Sequence, residues 1–237
     1  MSRLEQFNKA VLSVDNVIFG FDEGDLKILL IKRGEEPYSD LWALPGHYVY
    51  GEEDLDAAAR RVLLELTGIE NVFLEQVQAF GKVGRHPFGR VVTIAYFSLI
   101  KIKDYKIQAS SMARVAEWHA VDSLESLAFD HNDILDACFQ QLKLSVKTRP
   151  IGFELLPPKF TLTELQHLYE SILRVKLDKR NFRKKILSMN LLIDLDEIQD
   201  GVAHRPARLY RFDQEKYNKF REEGYVFEVK EGKRANV

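Results

Sequence analysis

Residues 42–69, WALPGHYVYGEEDLDAAARRVLLELTGI, decide the fold. Between Asp54 and Thr67 the residues Leu55, Ala59, Val62 and Leu66 recur at i, i+4, i+7 and i+11, the spacing of a helix with one buried face. Positions 62, 65 and 66 are neighbours on such a helix, so carboxylates at all three would converge on one hard cation such as Mg²⁺, which wants several oxygen ligands. Only Glu65 is acidic. Val62 and Leu66 extend the apolar stripe instead, and packing is the reading their period supports.

Around this helix, Glu53, Arg61, Leu63, Glu65, Gly68 and Ile69 stand in a spaced pattern preceded by Trp42-Ala43-Leu44-Pro45-Gly46. The pattern resembles the Nudix box, a pyrophosphate-hydrolysing metal site. Three positions depart from it: His47 replaces the first glycine, and Val62 and Leu66 replace glutamates. The resemblance implies an α/β/α sandwich. Cleavage of a phosphate anhydride needs a metal to gather the phosphates and activate water, so the missing carboxylates undermine hydrolysis. The sequence therefore predicts no catalytic residue, no metal ligand set and no cofactor.

At 237 residues the chain has room for two domains with cores of their own. No apolar run approaches the roughly 20 residues of a membrane span, and residues 1–10 lack a signal-peptide core, so a cytoplasmic protein is expected. The single cysteine, Cys138, excludes an intrachain disulfide and reads as a buried helix thiol. The net charge of −2 hides an asymmetry. Residues 150–237 hold 17 Lys/Arg against 14 Asp/Glu, a net of +3, which leaves −5 for residues 1–149. Such a division suggests an anionic partner for the second half.

Val11 to Phe21 and Leu26 to Ile31 read as strands flanking a turn at 22–25, and Val72 to Phe80 and Val91 to Ile100 as two more. Residues 130–147 carry apolar side chains at helical spacing. Pro150, Pro157 and Pro158 interrupt helical continuation, placing a boundary between an effector-binding domain, 1–149, and a second domain, 150–230, with 231–237 as a disordered tail. In the second domain Thr161 or Thr163 could cap a helix running to about Leu173, and Asp178 a second one running to about Met189. Residues 191–212 read as two strands joined by a long turn. Two helices followed by a hairpin make a winged helix-turn-helix.

Residues 174–185, RVKLDKRNFRKK, contain seven basic residues and one acid. If Phe182, Ile186 and Met189 face the core, Lys179, Arg180, Asn181, Arg183 and Lys184 project outward, as a recognition helix in a major groove requires. His204, Arg205 and Arg208 on the hairpin add a second basic cluster suited to the DNA backbone or minor groove.

The Nudix-like segment followed by FTLTELQHLYESIL, KRNFRKKIL and HRPARLYRF resembles the Nudix-related transcriptional regulators, bacterial repressors with a C-terminal winged helix. The resemblance implies a homodimer on a palindromic double-stranded operator and a small-molecule effector in the former catalytic cleft. One branch of the family senses ADP-ribose and controls NAD metabolism; another controls sugar utilisation, including responses to L-arabinose. Loss of the metal-anchoring acids predicts the sugar branch, with an ADP-ribose sensor and a Nudix hydrolase of ADP-ribose or another nucleotide sugar as alternatives. On the Nudix template, Lys32, Arg33, Trp42, His47, Glu53, Arg61 and Glu65 fall along or near the cleft and are the candidate effector contacts. Arg85 and His86 sit in a loop able to close over a ligand or to be solvated surface.

Overall fold

In a computed structural model the described residues are 9–22, 24–109, 113–201, 205–225 and 227–229. They form two compact units, the first holding residues up to Asp22 and Leu26–Gln141, the second the short stretch 24–25 and Leu142 onward.

The first unit is built on a mixed sheet. Strands β1 (Val11–Asp22), β2 (Asp25–Arg33), β3 (Trp42–Ala43), β4 (Gly46–Tyr48), β5 (Glu75–Phe80), β6 (Val91–Lys101) and β7 (Ala113–Ala120) make it up. The order is β3-β2-β1-β6-β5, with β4 paired to β1 and β7 to β2. The β1/β6 pair is parallel, in register from Val11↔Val91 to Phe21↔Lys101, and the long apolar runs in both strands are what a doubly covered parallel pair demands. Helix α1 (Leu55–Thr67) stops at Gly68, which takes the left-handed conformation with φ 73° and donates its N–H to the Leu64 carbonyl. Its expected stripe is realised. Val62 and Leu66 are 0 % and 2 % exposed and share a core with Val14, Ala59, Ile94 and Tyr96. Helix α2 (His131–Thr148), whose last turns from Leu142 belong to the second unit, buries Ile134, Leu135, Cys138, Phe139, Leu142 and Val146, the face its period predicts.

In the second unit, helix α3 (Leu162–Leu173) opens on Thr161, whose hydroxyl accepts from the Glu164 N–H at 3.1 Å while the Glu164 carboxylate accepts from the Thr161 N–H at 2.7 Å. This reciprocal cap settles the choice between Thr161 and Thr163. Helix α4 (Lys179–Ser188) is capped by Asp178, which accepts from the Asn181 N–H at 2.8 Å. Strands β8 (Leu192–Ile198) and β9 (Arg208–Phe212) pair antiparallel, and helix α5 (Gln214–Glu222) follows. The two helices α3 and α4 pack through Tyr169 and Phe182, with ring centroids 5.6 Å apart.

Three features lie beyond what the pattern showed. β7 is rich in alanine, a poor strand former, and is held in the sheet by pairing along β2 from Lys27↔Ala120 onward. β3 and β4 are too short to carry a period, and α5 buries only Tyr217 on its helical face.

Candidate functional site

The first unit contains a cleft of about 150 Å³, lined from β1, β2, β4, the 81–90 loop and the start of α2. Its floor is a buried polar network. Asp15 interrupts the apolar run of β1, and its Oδ2 accepts from the Thr93 hydroxyl at 2.6 Å. Arg85 lies 3.9 Å from the same oxygen and pairs with both oxygens of Asp130, at 2.8 and 2.6 Å. His131 Nδ1 accepts from the Leu44 N–H at 3.0 Å, so its proton sits on Nε2, 3.4 Å from Asp15 Oδ1. Burial holds the His131 pKa below its usual value, in keeping with that neutral tautomer. Gly46 permits this crowding, because a Cβ there would stand 1.8 Å from Asp15 Oδ1.

The mouth is aromatic. Phe129 stacks on His86 at 5.2 Å with 16° between planes and meets Tyr38 edge-on at 4.8 Å. His86 Nδ1 accepts from the Phe88 N–H, leaving Nε2 to donate to the Tyr48 hydroxyl at 3.3 Å. Burial first, then Arg85 and Arg33, push the His86 pKa down, which agrees with a neutral ring. Arg33 lies over the Phe129 ring, 4.8 Å from its centroid. Phe88 is exposed beside this group.

Of the seven expected effector contacts, Arg33 and His47 line the cleft, and His47 Nδ1 is buried without a hydrogen-bond partner. Lys32 does not line it. Successive strand residues face opposite sides of a sheet, so the side that carries Ile31 and Arg33 into the cleft carries Lys32 and its cross-strand neighbour Trp42 away. Trp42 packs edge-on against His119 at 4.3 Å. Glu53, Arg61 and Glu65 form a cluster of their own. Arg61 Nε and Nη2 donate to the two Glu53 oxygens at 2.9 and 2.5 Å, Nη1 donates to Glu65 at 3.0 Å, and the guanidinium lies 4.0 Å from the Tyr50 ring centroid. Hydrogen bonding to Arg61 pulls the Glu53 pKa down to about 2. Asp15, Tyr48, Phe129 and His131 were missed. The one signal that pointed to any of them was Asp15-Asn16, a polar pair inside an apolar strand.

These residues do not fit the divalent cation of a Nudix enzyme. The two surviving box carboxylates are taken by Arg61, and the other two helix positions are core leucine and valine. Among the described residues no group of three or more His, Cys, Asp or Glu could hold a metal ion.

On the second unit, Phe182, Ile186 and Met189 are buried while Lys179, Arg180, Asn181, Lys184 and Lys185 are exposed on α4. Arg183 is half-buried and donates to the Thr163 hydroxyl at 3.0 Å. On the hairpin, Arg205 is exposed, and His204 lies outside the described residues. Arg208 is bound to Asp194 at 2.7 Å with Asp196 at 3.9 Å, so acids on β8 offset its charge.

The NUDIX domain model matches residues 9–138 and the NrtR DNA-binding winged helix domain model residues 152–212. The chain is 40% identical to the "ADPR responsive transcriptional repressor NtrR" of Acinetobacter baylyi, over 91% of this chain and 89% of that one. The chain belongs to the NrtR family of Nudix-related repressors. It is thus a ligand-responsive DNA-binding transcriptional repressor with a Nudix-like α/β domain and a C-terminal winged helix. The NrtR of Shewanella oneidensis, solved in complex with a 27mer DNA, superposes with a TM-score of 0.70 at 27% identity, covering 92% of this chain and 99% of that one. The NUDIX domain of the same protein, solved with ADP ribose, superposes with a TM-score of 0.54 at 28% identity, covering 58% and 92%. An ADP-ribose pyrophosphatase of Methanocaldococcus jannaschii is 32% identical over 52% of this chain and 70% of that one. The Acinetobacter baylyi relative is named as ADPR responsive and the Shewanella oneidensis NUDIX domain was solved with ADP ribose, which corrects the expected sugar branch and its L-arabinose effector. The physical reason is visible in the cleft: loss of metal-holding acids does not exclude an anionic ligand where guanidinium groups line the walls. No helix of the described residues is long and apolar enough to cross a membrane.

Proposed function

We propose that this NrtR-family repressor senses ADP-ribose, with residues 1–149 as the sensor and 150–230 as the DNA-binding domain. The single observation carrying the reading is the cleft in which two guanidinium groups, Arg33 and Arg85, stand beside an aromatic wall of Phe129, His86 and Tyr48, with Tyr38 packed against Phe129. A diphosphate flanked by an adenosine and a ribose asks for cations and for a flat apolar surface. A neutral pentose asks for neither cation. The ADPR-responsive relative and the NUDIX domain solved with ADP ribose support the same ligand. Each chain presents one basic helix, α4, which suits one half-site, so a homodimer on a palindromic operator is the matching assembly. Exposed Lys179, Arg180, Asn181 and Lys184 are its DNA contacts, with Arg183 held closer to the core.

The rival reading is a hydrolase, favoured by the Nudix match and the pyrophosphatase relative. It lacks the carboxylates to anchor a metal. Calorimetry with ADP-ribose and L-arabinose, paired with an assay for ADP-ribose cleavage in Mg²⁺ or Mn²⁺, separates the readings. Saturable binding of ADP-ribose alone, without cleavage, is expected. Turnover on the order of 1 s⁻¹ or faster, the ordinary enzymatic range, would establish the rival.

A further inference from the structure

We propose that the effector's diphosphate is held directly by the Arg33 guanidinium, so that effector recognition requires no divalent cation. This inference rests on ADP-ribose being the effector.

Arg33 differs from the other cleft cation. The charge of Arg85 is already paired with the Asp130 carboxylate, with Asp15 nearby, so a phosphate gains less from it even though its Nη1 donors are not used by Asp130. Arg33 donates Nε to the Pro37 carbonyl at 2.8 Å and Nη2 to the Glu35 carbonyl at 3.4 Å. Both are main-chain acceptors. A guanidinium has five N–H donors in a fixed plane, so Nη1 and the remaining Nη2 proton are left to face an anion as a fork. The guanidinium carbon lies over the Phe129 ring, 4.8 Å from its centroid, and that ring is itself in contact with His86 and Tyr38. Half-burial removes part of the water around the charge and lowers the Arg33 pKa, while Glu35, Asp15 and Glu36 nearby push it the other way. A partly desolvated cation with N–H donors to spare at a cleft is suited to an anion.

The acids of the box and of the cleft floor are committed elsewhere, and Glu35 and Glu36, which also line the cleft, belong to no group of three or more ligands able to hold a metal ion among the described residues. Glu53 and Glu65 neutralise Arg61, Asp130 pairs with Arg85, and Asp15 accepts from Thr93 beside the His131 Nε2 proton. An arginine fork can perform the neutralising role of a cation while offering no activated water, which fits binding without cleavage.

The test is calorimetry of the full chain with ADP-ribose in EDTA and again in millimolar MgCl₂. The expected dissociation constants agree within about threefold, well under the tenfold that 1.4 kcal/mol represents. Arg33→Ala should weaken binding about ten- to a hundredfold, and Arg33→Lys, which keeps the charge and loses the fork, by less than Arg33→Ala. Binding at least about tenfold weaker in EDTA overturns the proposal and leaves ADP-ribose standing as the effector. Undiminished binding by Arg33→Ala also overturns it. No binding under either condition removes the effector assignment and this proposal together. Should Arg33→Ala fail to fold, the wild-type comparison still decides.

Discussion

Arg85, from the loop before β6, meets Asp130, at the threshold of α2, through two parallel N–H···O bonds of 2.8 and 2.6 Å, and the two side chains are 4 % and 17 % exposed. Removing Arg85 leaves two largely buried carboxylates, Asp130 and Asp15, without the cation they share. Arg85→Met is expected to lower unfolding free energy by about 3–5 kcal/mol. Pairing it with Asp130→Asn should recover part of that loss. Urea denaturation of the four proteins in the cycle measures the coupling, and additive losses would show that the pair does not interact.

The Glu53–Arg61 pair gives a pH signature. Hydrogen bonding to Arg61 lowers the Glu53 pKa from 4.5 to about 2 in the folded chain. A carboxylate whose folded pKa is depressed contributes stability that is complete above its unfolded pKa and is lost as pH falls through the folded value. The stabilisation should therefore be present above pH 4.5 and fade toward pH 2. Glu53→Gln should flatten this part of the profile of the unfolding midpoint. A carbon-detected NMR titration should place the Glu53 carboxyl midpoint near 2.

Gly46 is required by space, not by backbone conformation. A Cβ at this position would meet Asp15 Oδ1 at 1.8 Å and the Val14 carbonyl oxygen at 3.0 Å. Asp15 cannot withdraw freely, since Thr93 holds it and Arg85 and His131 stand on either side. Gly46→Ala should destabilise the first unit by roughly 1–3 kcal/mol, the range for overpacking, measured by denaturant unfolding. Equal stability would mean that the floor of the cleft is softer than its hydrogen bonds imply.

On α4, Arg180 and Lys184 are exposed. Neutralising both should weaken DNA binding and flatten the dependence of affinity on salt, by about 0.9 in the logarithmic slope for each phosphate that the variant leaves unneutralised. Arg208→Ala should do less, because Asp194 and Asp196 already accompany that charge. Fluorescence anisotropy across a salt series checks both. An unchanged slope in the α4 variant would remove that helix from the interface.

The elements with strong period or caps were legible in the sequence, and the convergence of the cleft was not. The stripe of Leu55, Ala59, Val62 and Leu66 announces α1 because burial and the 3.6-residue turn act on the same positions. Thr161 and Asp178 announce helix starts through their own short side chains. Asp15, Arg85 and the Phe129-Asp130-His131 stretch are widely separated along the chain and meet only through the folding of the sheet, so spacing carries no trace of their proximity. Strand alternation could have separated Arg33 from Lys32, yet which face turned toward the cleft depended on partners across the sheet. The hairpin makes a related point. Arg208 is expected as a DNA contact from its charge, and that Asp194, paired across from Tyr210, lies within reach of its guanidinium is seen only in the folded chain.

The central claim is that occupancy of the cleft changes the grip on DNA. A ligand shifts an equilibrium only through different affinity for the two states, and the coupling is reciprocal. The direct measurement is anisotropy of a labelled DNA site, selected from random sequence by the full chain, titrated with protein in the absence and presence of saturating ADP-ribose. The account predicts a change in DNA affinity of about fivefold or more, within the usual span of allosteric coupling, and an equal change in ADP-ribose affinity when DNA is bound. Identical DNA affinity with the cleft shown to be saturated would contradict it.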